Sequence, residues 1–281
     1  MKIAITGATG QLGKVVVEKL KEKTATENLV ALVRNPEKAS ELAVETRVFD
    51  YTKPETLVTS LEGIETLLLI SGNEIGQRET QHKNVIDAAK EAGVKHIVYT
   101  SLLHAATSEM ALAPEHLATE NALTSSGITY TILRNGWYTE NYAGSISGAI
   151  QAGAFIGSAG DGKISSATRE DFAEAAAVVL ATEGHDNKIY ELGGDEPYTL
   201  GDLAAEISKQ TGKEIAYNNL PEADYANILV SFGLPDGFAK VLADSDAKAA
   251  NGSLYTEDKT LSNLIGRPTT PLANVVKNFI S

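Results

Sequence analysis

The first residues with a chemically suggestive spacing are Gly7, Gly10 and Gly13, in the stretch Ala4-Ile5-Thr6-Gly7-Ala8-Thr9-Gly10-Gln11-Leu12-Gly13. Three glycines three apart, after an apolar run and before a helical pattern, suit a sharp strand-to-helix turn around a pyrophosphate. Gly7 can adopt backbone angles closed to other residues. Gly10 carries no side chain, so a phosphate can reach the backbone. Gly13 lets the helix pack closely. The helix N-terminus then offers free N–H groups and a partial positive charge to an anion. Ala8, Thr9, Gln11 and Leu12 complete that turn, the last three as donors. The bland alternative is an ordinary glycine-rich turn, but this one opens an alternating strand–helix pattern, where dinucleotide binding requires it.

A second chemical position is Arg34, 21 residues after Gly13, at the end of the run Ala31-Leu32-Val33-Arg34. A site for NAD(H) carries Asp or Glu there, to accept from the ribose 2′-hydroxyl. A guanidinium instead suits a 2′-phosphate, which it can grip through two parallel bonds. The reading is NADP(H), against the alternative of a solvated surface arginine. Asp50-Tyr51 is expected at the adenine edge, and Ser71, Gly72 and Asn73 along the adenosine and ribose. Thr100-Ser101 and Arg134, followed by Asn135, Gly136, Trp137 and Tyr138, extend the lining toward the nicotinamide.

The elements that must position these residues are legible over the first 134 residues. Strand-like runs are expected at Lys2–Thr6, Leu29–Arg34, Thr46–Phe49, Thr66–Ser71, His96–Ser101 and Thr129–Arg134. Helical patterns lie between them at Gln11–Lys23, Pro36–Leu42, Pro54–Leu61, Arg78–Ala92 and Pro114–Ser125. Pro36, Pro54 and Pro114 suit first-turn positions, and Gly93 suits a helix stop. Such alternation predicts an α/β fold with a Rossmann-like, doubly wound parallel sheet, which takes ligands beyond the carboxyl ends of its strands.

Past Arg134 the rhythm breaks, with loop-like, glycine-rich stretches at Asn135–Gly148 and Ala152–Lys163. Helices at Arg169–Thr182, Leu200–Thr211 and Pro221–Phe232, and strands at Lys188–Leu192 and Glu214–Tyr217, predict a smaller α/β carboxyl-terminal lobe. The expected division is residues 1–134, with parts of 150–193, as the NADP(H)-binding domain. Residues 135–281 form the smaller substrate lobe, with the segments interleaved.

The glycine spacing G-x-x-G-x-x-G resembles the extended and atypical short-chain dehydrogenase/reductase superfamily. Most short-chain dehydrogenases protonate a developing alkoxide with a tyrosine four residues before a lysine on the helix after the fifth strand. Here that helix offers His116 and Glu120 at the corresponding spacing. These two could pair, as a proton relay or as a plain hydrogen bond on the helix. The pair Tyr255 and Lys259 shows the tyrosine–lysine spacing far from that helix, by coincidence. Carbonyl reduction with a tyrosine acid is therefore disfavoured. Direct hydride transfer to an electrophilic acceptor such as a quinone is compatible, since it asks mainly for proximity and orientation.

The composition narrows the classes further. With 24 basic and 37 acidic residues the formal charge is −13, which offers no general attraction to nucleic acid or anionic membrane. The absence of cysteine excludes disulfides, thiolate nucleophiles and cysteine metal sites, and no metal site is expected. Met1-Lys2 leads straight into a strand-like run and the apolar runs are short. No signal peptide, no membrane insertion and a cytoplasmic location are therefore expected.

Several stretches together resemble one family. They are ITGATGQLG, ALVRNP, LLLISGNEIGQR, YTSLLHA, TILRNGWYTENY, FIGSAGDGKISSATREDFAEAAA and GLPDGF, spread through nearly the whole chain. They are similar to the bacterial NADPH-dependent quinone oxidoreductases of type 2, in the NmrA-like branch of atypical short-chain dehydrogenases. The resemblance implies NADPH in a cleft between two lobes and flavin-free reduction of a small-molecule quinone there. It places cofactor contacts at Gly7 to Leu12, at Arg34, at Ser71 to Asn73 and at Asn135, Gly136, Trp137, Tyr138, Thr139 and Glu140. Trp137 and Tyr138 are expected to stack on a ring, against core packing as the alternative for Trp137. Asn135, Asn141 and Tyr142 are expected to hydrogen-bond a quinone or carboxamide oxygen. Arg169 either faces the same cleft or pairs with Glu170 or Asp171. Two other readings stay open. One is a non-catalytic NADP(H) sensor of the NmrA-like type. The other is reduction of a different activated alkene or carbonyl, disfavoured because 114–125 lacks a lysine. A homodimer is an option that the sequence does not decide.

Overall fold

The computed structural model describes residues 1–280. These residues divide into two compact units, the first built from 1–105, 114–135 and 169–190, the second from 106–113, 136–168 and 191–280.

The first unit follows the alternation read from the sequence. Strands β1 (Ile3–Thr6) and β2 (Leu29–Val33) flank helix α1 (Gln11–Lys21). A 3-10 helix, Pro36–Leu42, leads to β3 (Glu45–Val48), helix α2 (Pro54–Ser60) and β4 (Thr66–Leu69). Helix α3 (Arg78–Glu91), β5 (His96–Leu102), α4 (Ala113–Ser125) and β6 (Thr129–Asn135) follow. The sheet runs β3-β2-β1-β4-β5-β6 and closes on the later strand Lys188–Leu192. The pairings from β3 through β6 are parallel, with Ile3 opposite both Leu29 and Thr66. β1, β2 and β4 are buried along their whole length, as a sheet covered on both faces requires. Helix α1 buries Leu12, Val16, Val17 and Leu20 at helical spacing, while Lys19 reaches out to Glu170 at 2.5 Å. Pro36–Leu42 departs from the α-helical expectation: Asn35 caps its start, and Ala43 stops it in the left-handed region at φ 50°.

The second unit holds β7 (Ala154–Gly157), which follows helix α5 (Ala143–Ala152). They correct the loop expectations for 135–148 and 152–163. Gly144 and Gly148 look like helix breakers, but Ile146 and Ala149 bury one face of α5, and Gly153 ends it at φ 76°. Helix α6 (Arg169–Ala181) belongs to the first unit, and β8 (Lys188–Leu192) is the strand that closes its sheet. Helix α7 (Leu200–Thr211) begins with a capping box from Thr199 and Asp202. β9 (Ala216–Asn219) pairs in parallel with β7, two residues later than the alternation predicts. Helices α8 (Glu222–Ser231), α9 (Asp236–Ala249), α10 (Thr260–Ile265) and α11 (Leu272–Ile280) complete the unit. None of the elements after Phe232 is among those expected from the sequence.

Candidate functional site

The turn after β1 has the geometry of an anion cradle. Gly7 sits at φ +57°, a conformation that favours glycine. A Cβ on Gly13 would land 2.3 Å from the Gly7 carbonyl and 2.8 Å from Ala8 Cα, so α1 starts where only a hydrogen fits. The close packing at Gly13 is therefore against the turn's own backbone. Gly10 takes the N-cap position with no side-chain cap, and the first turn of α1 carries no acidic residue. Its first N–H groups are open to an anion rather than to a neighbouring carboxylate. Ala8 and Leu12 are buried, Thr9 is half-buried, and Gly10 and Gln11 are exposed.

Arg34 follows β2 with its side chain 70% exposed and lies 3.4 Å from Glu74. The strand ends beside it are fastened from within. The Tyr51 hydroxyl bonds Thr6 Oγ1 at 2.5 Å and donates to the Ile70 carbonyl at 2.9 Å. Tyr51 therefore ties the ends of β1 and β4 together. Its hydroxyl is spent on that tie.

The segment Ser71-Gly72-Asn73 is held by side chains that the sequence reading missed. Ser71 N–H donates to Thr100 Oγ1, and Gly72 N–H donates to His82 Nε2 at 2.9 Å. Arg78 Nε donates to the Gly72 carbonyl at 2.8 Å. Because Nε2 accepts, the imidazole proton sits on Nδ1, which faces Thr119 Oγ1 at 2.9 Å. Burial and then the Arg78 charge push the His82 pKa down to about 3, so the ring is neutral. Arg78 also pairs with Glu115, which accepts from Gly76 N–H. Arg78 and His82 stand four apart on α3, with Gln81 and Val85 on the same buried face. Polar residues at helical spacing on an apolar face were the available signal.

On α4 the expected pairing of His116 with Glu120 is not made. His116 Nδ1 faces the Tyr99 hydroxyl at 2.8 Å. Glu120 takes a two-pronged grip from Arg134, at 2.9 and 2.6 Å, and a bond from Ser101 Oγ at 2.5 Å. Both side chains are buried. The two positions where most short-chain dehydrogenases place tyrosine and lysine are thus occupied by members of an internal network. Tyr255 and Lys259 also work apart, the first on Glu257 and the second on Asp195.

In the second unit the run after Asn135 is pinned by its backbone. Gly136 N–H donates to Leu192 O at 2.7 Å, Ala167 N–H to Trp137 O at 3.1 Å and Thr139 N–H to Ala167 O at 3.0 Å. Thr139 Oγ1, Ser166 Oγ and the Tyr198 hydroxyl form a buried chain. Trp137 is buried, and its indole Nε1 has no hydrogen-bond partner among the described residues. Tyr138, Glu140 and Asn141 are half-buried, and Asn135 of the first unit is buried. The Tyr142 hydroxyl is buried and lies 3.4 Å from Asp246 Oδ1. Glu170 pairs with Lys19 rather than Arg169. No cluster of metal-ligating side chains occurs among the described residues, and no helix there is long and apolar enough to cross a membrane.

Comparison with known proteins places this geometry in a wider setting. Residues 7–183 match the family model described as NAD(P)H-binding. The chain is 56% identical over 282 residues to quinone oxidoreductase 2 of Escherichia coli K12, and the alignment covers 99% of both chains. The solved structure of the Escherichia coli NADPH-dependent quinone oxidoreductase complexed with NADPH matches with a TM-score of 0.97 at 56% identity, covering 99% of this chain and 100% of that one. The Citrobacter sp. triphenylmethane reductase complexed with NADP(H) matches with a TM-score of 0.95 at 41% identity, covering 99% and 100%.

Proposed function

The chain belongs to the NAD(P)H-binding family, in its NmrA-like quinone oxidoreductase branch, and on that premise we propose that it reduces quinones with NADPH, without a flavin. The observation that carries this reading is the 56% identity to quinone oxidoreductase 2 along 99% of both chains. The residues present fit the cofactor. The uncapped start of α1, the positive φ of Gly7 and the space that only Gly13 leaves make a cradle for a pyrophosphate. In this reading Gly7, Ala8, Thr9, Gly10, Gln11 and Leu12 hold the pyrophosphate, and exposed Arg34 holds the 2′-phosphate. Ser71, Gly72 and Asn73, braced by His82 and Arg78, support the adenosine ribose. Asn135, Gly136, Trp137, Tyr138, Thr139 and Glu140 support the nicotinamide end. Asn135, Trp137, Tyr138 and Asn141 also line the place of the quinone.

NADPH, when bound, supplies a hydride. The protein's own contribution is orientation, because His116 and Glu120 are both committed to internal partners. That arrangement suits a quinone, whose reduced oxygens take protons from water without a protein acid. A non-catalytic sensor would bind the cofactor without turnover, and the full-length likeness to a quinone oxidoreductase favours the enzyme. A cytoplasmic location and the option of a homodimer belong to the same proposal. Light scattering on the purified protein decides the oligomeric state.

The function is tested by following NADPH at 340 nm with and without a simple benzoquinone, with NADH in parallel and with flavin added or omitted. The expected result is quinone-dependent loss of NADPH, faster than of NADH and indifferent to flavin. Tight NADPH binding with no turnover across several quinones overturns the reductase in favour of the sensor.

A further inference from the structure

We propose that Glu74 is a specificity-determining residue that limits the preference of this site for a 2′-phosphorylated cofactor. The inference rests on the assignment of Arg34 to the 2′-phosphate. Arg34 Nη1 lies 3.4 Å from Glu74 Oε1, through one oxygen rather than a two-pronged grip. The guanidinium is solvent-exposed and free to turn toward a ligand. The carboxylate is anchored. Its other oxygen accepts from Gln81 Nε2 at 2.8 Å, and Gln81 is only 6% exposed on α3. The surrounding loop is tied at Gly72 to His82 and Arg78, and at Gly76 to Glu115. Glu74 therefore stays in place when Arg34 moves.

A second carboxylate, Asp50, lies close enough to feel the Arg34 charge, and is itself pinned by Thr52. A phosphate dianion arriving at Arg34 meets a cation that already faces two anchored carboxylates, of which Asp50 also feels Lys53. The exposed Arg34–Glu74 pair is weak and easily given up, but the repulsion between Glu74 and the phosphate remains after it breaks. A 2′-hydroxyl has the opposite experience, since it can donate to Glu74. Sites for NAD(H) place such an acid at the end of the second strand. Here Arg34 takes that position, and the acid reaches it from the loop after β4.

The test uses 2′,5′-ADP and 5′-AMP, which differ only in the 2′-phosphate and need neither nicotinamide nor quinone. Their affinities are measured by calorimetry for the wild type, Glu74→Gln, Glu74→Ala and Arg34→Ala. Glu74→Gln is expected to tighten 2′,5′-ADP roughly three- to tenfold while 5′-AMP stays the same or weakens slightly. Glu74→Ala is expected to follow, which separates loss of charge from any new bond made by the amide. An unchanged preference overturns the inference, and a reduced preference makes Glu74 an anchor for Arg34 instead. Arg34→Ala is expected to abolish the preference. If it does so while both Glu74 variants change nothing, the Glu74 role alone is wrong. If Arg34→Ala leaves the preference intact, the Arg34 assignment is wrong and this inference falls with it.

Discussion

The first unit holds two ion pairs that are largely withdrawn from solvent: Arg78 with Glu115, and Arg134 with Glu120. Its buried histidines, His82 and His116, are held neutral, each by burial first and by the Arg78 charge second. The second unit buries Asp246 against the Ser158 N–H and the Tyr142 hydroxyl, with Tyr198, Tyr217 and Tyr225 near enough to feel its charge. Burial outweighs those two bonds and pushes the Asp246 pKa up to about 7. The two units therefore answer pH in opposite directions. A neutral buried histidine loses stability as pH falls below 6.5, because the unfolded chain takes the proton first. A buried acid with a raised pKa loses stability as pH rises from 3.8 toward 7, because the unfolded chain releases the proton first.

The largest expected effect erases one side of that contrast. Asp246→Asn should stabilise the protein by about 2–4 kcal/mol at pH 8 and by almost nothing near pH 4. Urea unfolding at the two pH values reads this, and an equal effect at both would show that Asp246 does not titrate in this range. His82→Gln acts on the other side. Gln can still accept from Gly72 N–H, so the acid limb of stability between pH 6.5 and 4 should become shallower by about 1.4 kcal/mol per pH unit. A parallel shift of the whole curve would mean that His82 matters only through packing.

Gly13→Ala tests the ligand end of the first unit alone. Its methyl group would press on the Gly7 carbonyl, costing about 1–3 kcal/mol of stability and weakening NADPH binding about tenfold or more. Binding left intact would detach the turn from the cofactor. The smallest expected effect is on chemistry. His116→Ala should lower stability yet change turnover per folded molecule less than about threefold, and a drop of several hundredfold would reveal an overlooked general acid.

The same two units differ in how much of them is legible in the sequence. In the first, each strand and its covering helix are neighbours along the chain, so periodicity and the prolines at 36 and 54 locate them within a residue or two. In the second, β7 pairs with β9 some sixty residues later, and α5 carries two glycines inside a helix held by Ile146 and Ala149. A strand near β9 is legible in its own segment, but its pairing with β7 is not. The site divides similarly. Gly7, Gly13 and Arg34 announce themselves because their chemistry lies in their position after a strand. Glu74, Arg78 and His82 do not, because their roles appear only when the loop after β4 folds against α3 and α4.

Direct hydride transfer from NADPH to a quinone can be read by single-turnover reduction with NADPH deuterated at nicotinamide C4. Quinone reduction is expected to slow with deuterium on one face of the ring only, at a rate unchanged by added flavin. Rates insensitive to deuterium on either face, together with stimulation by flavin, would contradict direct transfer.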